Sequence, residues 1–345
     1  MGRVKGHGLW KTVPVYFLPV IILICLIGCG KEFGPGETEQ VLTPKDENLI
    51  VVGVSQVGSE SMWRTANTES VQSVFTKENG YFLLFDNARQ KQENQIKALR
   101  SFISQKVDYI VFSPIMENGW DTVLQEAKEA DIPVIIMDRM VNVKDDSLYI
   151  TRVGSDFDAE GRCAGEWLAE YLKKQERAEE PVNIVVLQGT EGSTSMIGRT
   201  EGFNAIAEQY ENWNILEQVS ADYTTAKGHE VMEGLLTQYD DIDVVVSQND
   251  DMTFGALEAI EEAGLTSGIE GDIIMISFDA VKAALKLVQD GIINVDIECN
   301  PVLGEEVEKV ISALENGEAV DKTYPIEEKV FTIENVGEFI DDRTY

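Results

Sequence analysis

The chain has 345 residues, 43% of them hydrophobic and 26% charged, and its formal net charge is −33 at pH 7. So acidic a chain lacks the clustered Lys and Arg side chains that a phosphate backbone requires, which argues strongly against a nucleic-acid partner. It contains only two histidines, so most of the histidines that a His-based metal site or a Ser-His-Asp triad would need are missing. We therefore predict no catalytic residue, no metal, no cofactor and no enzymatic activity.

The first 28 residues predict a lipoprotein signal peptide. Basic residues precede the apolar run VPVYFLPVIILICLIG, as in a secretory signal. The run ends in LIGC, which resembles a bacterial lipobox, with Gly28 at the cleavage site and Cys29 as the site of lipidation. The alternative, a plain transmembrane anchor, needs ~20 apolar residues and fits this shorter run less well.

Residues 29–47 predict a flexible tether, because they are rich in Gly, Pro and charge and show no apolar period. The folded part then begins near Asn48 and is long enough for two domains. Its two cysteines, Cys163 and Cys299, do not form a disulfide scaffold. We favour free thiols, although the sequence leaves their pairing open.

Short apolar runs alternate with amphipathic segments from residue 48 onward. LIVVGVS, YFLLFD, YIVFSP and VIIMD predict buried strands, and segments such as NQIKALRSFISQ carry one apolar stripe at helical spacing. This βαβα order predicts a parallel sheet covered by helices.

The alternation restarts after LYITRVGSDF. NIVVLQG, NILEQVS, DVVVSQ, DIIMISFD and INVDIE predict five further strands, each followed by a helix-like segment. Two similar halves predict two doubly wound, Rossmann-like α/β lobes. Ligands of such lobes bind beyond the carboxyl ends of the parallel strands.

Planar hydrogen-bonding groups follow nearly every predicted strand. Carboxylates accept hydrogen bonds, amides donate and accept them, and guanidinium groups donate them, so that together they suit a hydroxyl-rich ligand. A flat aromatic ring can cover the C–H face of such a ligand. The predicted ligand-binding residues are Ser59, Glu60, Trp63, Arg64, Asp86, Gln90, Asp138, Arg139, Arg199, Asn249, Asp279 and Glu298.

Structural roles compete with this interpretation at some positions. Asp and Ser at strand ends are often helix N-caps, which leaves such a role open for Asp250 and Ser113. Trp63 could pack in a core. The case is strongest for Asp138 and Arg139, because a carboxylate and a guanidinium directly after an apolar strand are costly unless something polar meets them.

The chain resembles periplasmic sugar-binding proteins of the ribose-binding type, above all the galactofuranose-binding proteins of bacterial ABC importers. SQVGSES and QKQENQIKA carry the most distinctive likeness, together with MDRMVNVKDDSLYIT, LQGTEGSTS, SQNDDMTFGALEAIEEAGL and ISFD in the expected order. The resemblance implies a type I periplasmic binding protein fold with a three-segment hinge. The implied lobes are 48–154 plus about 299–328, and 155–298 plus about 329–345.

The resemblance also implies roles for single residues. Asp138 and Arg139 match the pair that holds ring hydroxyls, while Arg199, Asn249 and Asp279 match further sugar-binding positions. Trp63 falls where the family has a stacking aromatic. Glu298 lies near the hinge Gln of ribose binders, and its departure from Gln favours another monosaccharide, with galactofuranose as first choice.

The implied function is capture of a monosaccharide outside the cytoplasm and its delivery to the subunits of an ABC permease. We expect a monomer, lipid-anchored to the outer face of the cell membrane. A sensor that presents a sugar or autoinducer to a membrane kinase or chemoreceptor is the alternative, since both functions depend on lobe closure. A repressor effector domain shares the fold but is disfavoured by the signal peptide.

Overall fold

The protein is described by a computed structural model, which covers residues 48–345. The predicted signal peptide, the tether and Cys29 lie outside the described residues. Within the described part, no helix is long and apolar enough to cross a membrane. Cys163 and Cys299 are both free thiols, as favoured from the sequence, and Cys299 is the more deeply buried of the two.

The first sheet has six strands, all parallel, in the order β11-β5-β4-β3-β1-β2. The strands are β1 (Ile50–Gln56), β2 (Tyr81–Asn87), β3 (Tyr109–Phe112), β4 (Val134–Met137), β5 (Thr151–Gly154) and β11 (Thr323–Pro325). The helices of this lobe are α1 (Met62–Val74), α2 (Gln92–Gln105), α3 (Asp121–Glu129) and α9 (Gly304–Glu315).

The second sheet has the order β12-β10-β9-β8-β6-β7, and only β12 is antiparallel to its neighbour. Its strands are β6 (Val182–Gln188), β7 (Trp213–Ser220), β8 (Val244–Ser247), β9 (Ile274–Asp279), β10 (Val295–Glu298) and β12 (Val330–Phe331). Its helices are α4 (Phe157–Lys174), α5 (Thr194–Ala207), α6 (Thr225–Gln238), α7 (Asp250–Glu262) and α8 (Lys282–Gln289).

Both faces of each sheet are covered, which explains the continuous apolar runs in the sequence. Along β3, Ile110 and Phe112 pack into one core cluster with residues of α2 and α3. Val111 points the other way, into a cluster that includes Val307 of α9. The predicted two-lobed α/β fold is thereby confirmed, while the short edge strands β11 and β12 were not predicted.

The chain passes between the two sheets three times, at residues 155–156, 299–303 and 326–329. These crossings form the three-segment hinge expected for the fold. We propose that they also set the lobe boundaries, near the positions expected from the sequence.

Candidate functional site

A small cavity, with a volume of about 30 Å³, lies between the lobes, beyond the carboxyl ends of the strands. The side chains around it are Glu60, Ser61, Trp63, Arg64, Asp138, Arg139, Phe157, Ser195, Arg199, Tyr223, Asn249, Asp279 and Cys299.

Eight of the twelve predicted ligand-binding residues line this cavity. They come from both lobes and are Glu60, Trp63, Arg64, Asp138, Arg139, Arg199, Asn249 and Asp279. The parallel topology brings them together, because every strand of a doubly wound sheet ends at the same edge.

Three of the other four predicted residues lie beside β2 rather than at the cavity. β2 is the outermost strand of its sheet, so groups at its carboxyl end are displaced sideways from the cleft. Ser59 is exposed and accepts a hydrogen bond from the Asn87 amide at 3.0 Å. Gln90 is exposed in the following turn, and Asp86 is a partly buried residue of β2 itself.

Glu298 also lies outside the cavity lining. Its carboxylate accepts hydrogen bonds from the Arg343 guanidinium at 2.6 Å, from the Tyr345 hydroxyl at 3.1 Å and from the Lys329 backbone N–H at 3.0 Å. It therefore ties the C-terminal segment to β10, a role that the sequence did not indicate.

Five cavity residues were missed from the sequence: Ser61, Phe157, Ser195, Tyr223 and Cys299. Each follows a strand by a few residues, so the rule that led to the others also applied to them. The sequence argument singled out planar hydrogen-bonding groups, mainly carboxylates, amides and guanidinium groups, and these hydroxyl, thiol and phenyl side chains do not belong to that class.

Asp138 is the centre of charge on the first-lobe side. Its Oδ2 accepts hydrogen bonds from Arg64 Nη1 at 2.8 Å and from Ser113 Oγ at 2.8 Å. Burial opposes ionisation of this carboxyl, but the positive charges of Arg64 and Arg139 and these hydrogen bonds outweigh it and hold its pKa below the ordinary value. The carboxylate is therefore charged at neutral pH.

Arg64 and Glu60 complete this side of the cavity. Arg64 Nε donates to Glu60 Oε1 at 3.1 Å. The second oxygen, Glu60 Oε2, is buried and has no hydrogen-bond partner among the described residues. A buried acceptor left unpaired costs free energy, so a donor from a ligand would be favourable at this point.

Arg139 reaches across the cleft. Its guanidinium lies 5.3 Å from the ring centroid of Tyr223, which belongs to the second lobe, and Nη1 donates to the Ile115 carbonyl at 3.1 Å. Burial and the nearby charge of Arg64 lower the pKa of Arg139. An additional acceptor in the cavity would therefore stabilise the charged guanidinium.

Arg199 of α5 organises the second-lobe side. Its Nε donates to Glu160 Oε2 at 2.6 Å, Nη2 donates to Asp279 Oδ1 at 3.3 Å, and Nη1 donates to the carbonyl of Gln248. Burial raises the pKa of Asp279 well above its ordinary value, although Arg199 counteracts it. Asp279 can therefore act as donor or acceptor toward a ligand hydroxyl.

Two aromatic residues supply flat surfaces. Trp63 is buried, its Nε1 donates to the Cys299 carbonyl at 2.6 Å, and the Arg64 guanidinium lies 4.6 Å from its ring centroid. It thus packs against the hinge and lines the cavity at once, so the core and ligand interpretations of this residue are compatible. Phe157 lines the second-lobe side.

The backbone is strained at three cavity residues. Asp138, Tyr223 and Asp279 have φ values of 63°, 60° and 108°, in the region that non-glycine residues rarely adopt. Close approach requires glycine beside two of them: a Cβ on Gly154 would lie 2.7 Å from the Asp138 carbonyl oxygen, and one on Gly189 would overlap the Tyr223 ring. Such strain is typical of functional sites.

Direct hydrogen bonds join the lobes around the cavity. The Met62 backbone N–H donates to Asp251 Oδ2 at 2.9 Å, and the Met140 N–H donates to Thr194 Oγ1 at 2.8 Å. The cavity side chains are also almost fully shielded from solvent. The structure therefore represents the closed arrangement of the lobes.

A buried polar cluster joins all three hinge segments behind the cavity. The Ser155 hydroxyl donates to the carboxyl group of Glu328 and lies 3.4 Å from Cys299 Sγ. Burial and the nearby Glu160 raise the pKa of Glu328 to about 9. At neutral pH Glu328 is therefore protonated, so that one of the two glutamates is neutral.

The same cluster is the candidate metal-binding group of the described residues. One ligand atom each from Glu160, Cys299 and Glu328 lies within 4.8 Å of the others. The Arg199 guanidinium, 2.6 Å from Glu160, already supplies a positive charge there. A shared proton and the charge of this arginine together balance the two carboxyl groups, so the cluster does not require a metal ion.

The family described as periplasmic binding protein domain matches residues 52–318. The galactofuranose-binding protein YtfQ of Escherichia coli is 44% identical over 255 residues, covering 73% of this chain and 78% of that protein.

Two crystal structures are also similar. A Mycobacterium smegmatis protein in complex with β-D-fucofuranose has a TM-score of 0.81 and 42% identity, covering 85% of this chain and 95% of that one. The binding component of the arabinose ABC transporter from Shewanella, bound to L-arabinofuranose, has a TM-score of 0.79 and 44% identity, with the same shares covered. The chain belongs to the periplasmic binding protein family.

Proposed function

We propose that this member of the periplasmic binding protein family captures a monosaccharide in its furanose form, with galactofuranose as the favoured sugar, and delivers it to an ABC permease. The observation that carries the proposal is the cavity itself. Buried charged groups from both lobes surround one small space, and Glu60 Oε2 there is buried without a partner.

The arrangement suits a polyol ring. Carboxylates of Glu60 and Asp138 accept from ring hydroxyls, Arg139 and Arg199 donate to them, and Asp279 can do either. Trp63 and Phe157 supply apolar surfaces for the C–H faces of the ring. Residues from both lobes take part, so a bound sugar stabilises the closed arrangement by its differential affinity for it.

The relatives support the choice of sugar class and the role in transport. They are named as binding proteins, and the two similar crystal structures contain furanose sugars. We propose that the protein acts as a monomer, anchored to the outer face of the cell membrane through a lipid on Cys29.

Titration calorimetry with sugars locked in one ring form tests the proposal. We expect methyl β-D-galactofuranoside to bind and methyl β-D-galactopyranoside to bind far more weakly. Free D-galactose and L-arabinose are titrated as two further candidate ligands. Ser59→Ala, outside the cavity, is the matched control and should bind like the wild type. Absence of binding and of any thermal shift with all four sugars would refute the proposed function.

A further inference from the structure

Arg152 of β5 lies beside the cavity, outside its lining, and its side chain binds the main chain. Its Nε and Nη2 both donate to the Asp138 carbonyl oxygen, at 2.9 and 2.6 Å, and Nη2 also donates to the Ser155 carbonyl at 2.6 Å. Among the described residues, the hydrogen bonds of this guanidinium group all end at these two backbone oxygens. Its positive charge is therefore directed at the main chain.

Asp138 has a strained backbone at the point where Arg152 holds it. Its φ of 63° lies in the left-handed region, and such a conformation persists only when its surroundings fix it. Strand β5 fixes both backbone groups, because the Asp138 N–H donates to the Val153 carbonyl at 2.8 Å and the Asp138 carbonyl accepts from Arg152. Gly154 permits the close approach, since a Cβ there would lie 2.7 Å from the same carbonyl oxygen. The direction of the Asp138 side chain thus depends on Arg152.

The same guanidinium group reaches the hinge and the second lobe. Ser155, whose carbonyl it binds, is buried and belongs to the first hinge crossing, and Phe157 begins α4 two residues later. Arg152 Cζ lies 5.4 Å from the ring centroid of Phe157, and Arg199 Cζ lies 5.6 Å from the same centroid. Arg152 therefore connects the strained turn of one lobe to an aromatic side chain that lines the cavity from the other lobe.

We propose that Arg152 is a positioning residue for the ligand, which holds the carboxylate of Asp138 in its binding direction and ties it to the first hinge segment. Arg152 does not contact the sugar and acts through the backbone carbonyl groups of Asp138 and Ser155. The inference rests on the proposed function in that Asp138 contacts the sugar.

Two variants of Arg152 test this role by titration with methyl β-D-galactofuranoside. Arg152→Met keeps an apolar stem but leaves two buried carbonyl groups without their donor, so binding should weaken about tenfold or more. Arg152→Lys keeps a charged donor whose ammonium group can reach both carbonyl oxygens, and it should bind more tightly than Arg152→Met. Wild-type affinity in Arg152→Met, or no recovery in Arg152→Lys, would overturn the proposal.

A double-mutant cycle distinguishes positioning from a general loss of stability. If Arg152 acts through Asp138, then Arg152→Met should weaken binding about threefold or less in an Asp138→Asn background. Asn249→Ser is the matched background, because it alters a cavity residue of the second lobe, keeps an N-cap acceptor for α7, and bonds to Met252 and Tyr223 rather than to the partners of Arg152. There the full loss of about tenfold should remain. Additive losses in the Asp138→Asn background would overturn the proposal.

Amide hydrogen exchange of the ligand-free proteins gives a readout that needs no sugar. Arg152→Met should lose protection at residues 138–140 and 155–157, the segments that the guanidinium group holds. The matched control is Arg177→Met, which removes another partly exposed arginine, bound to Glu180 and Asp243 at 2.9 and 2.8 Å and outside the cavity lining. This control should keep wild-type affinity and wild-type exchange in both segments, even if its melting temperature falls.

The exchange result separates failure of this inference from failure of the proposed function. Unchanged exchange of both segments in Arg152→Met would overturn the role of Arg152, whether or not a sugar binds. If protection is lost in this variant but the wild-type protein binds none of the four sugars, the hold of Arg152 on the Asp138 turn is supported and the proposed function fails.

Discussion

The carboxylate of Asp251 accepts a hydrogen bond from the backbone N–H of Met62 across the cleft, at 2.9 Å. It joins the first turn of α7 in one lobe to the first turn of α1 in the other, so it forms only when the lobes close. Burial raises the pKa of Asp251 to about 6, and the charge of Glu60 adds to this effect.

Closure is therefore expected to take up a proton on Asp251. A carboxyl whose pKa is higher in the closed state favours closure more as pH falls through that value. Because closure takes up this proton, sugar affinity should rise as the pH falls from 7 to 5, and Asp251→Asn should remove the rise. Calorimetry in two buffers of different ionisation enthalpy measures the proton uptake, and identical uptake in both proteins would contradict the prediction.

Asp138→Asn is expected to weaken sugar binding roughly 10-fold to 100-fold, since a hydrogen bond to a charged group contributes ~1.5–3 kcal/mol. The substitution keeps the size of the side chain but removes the charge that Arg64 and Arg139 face. Titration calorimetry measures the affinity, and melting of the ligand-free protein measures the accompanying change in stability.

The matched control is Glu126→Gln, which removes one partner of the ion pair with Arg100, a pair that is largely exposed. An exposed pair contributes little to stability and lies far from the cavity, so this variant should match the wild type in both measurements. A normal affinity in Asp138→Asn, with a lowered melting temperature, would assign Asp138 a purely structural role.

Glu328→Gln tests the polar cluster at the hinge. The folded-state pKa of Glu328 is about 9, above the ordinary value, so this group lowers the free energy of unfolding as pH rises toward that value. Glutamine cannot ionise, and we expect the variant to gain stability relative to the wild type between pH 6 and pH 9. If the melting temperatures of the two proteins change equally with pH over this range, the expectation is contradicted.

The fold was predictable because its strands are continuous apolar runs. YIVF and VIIM became β3 and β4 with all residues buried. Two-residue and three-residue edge strands carry no such pattern, and β11 and β12 escaped prediction for that reason.

The site was predictable where a charged residue ends or directly follows a buried strand, as at Asp279 and Asp138. Lateral position in the sheet was not readable, so Asp86 and Gln90 were placed at the cavity although β2 is an outer strand. Ser59 follows β1, but its hydroxyl accepts a hydrogen bond from Asn87 at the end of β2. The C-terminal partners of Glu298 lie 45 and 47 residues away along the chain, and no local pattern indicates that contact.

The lipid anchor proposed at Cys29 gives the last prediction. A diacylglycerol on this thiol, with an acyl chain on the new N-terminal amine, supplies more than the two signals needed for stable membrane attachment. The wild-type chain, expressed with its N-terminal segment in a bacterial host, should therefore sediment with membranes and resist extraction by high salt. Cys29→Ser should instead be released or remain unprocessed, while Cys163→Ser, a free thiol in the folded part, is the matched control and should behave like the wild type. Mass spectrometry of the mature N-terminus identifies the modification, and equal membrane retention of Cys29→Ser without a change in mass would contradict the lipobox interpretation.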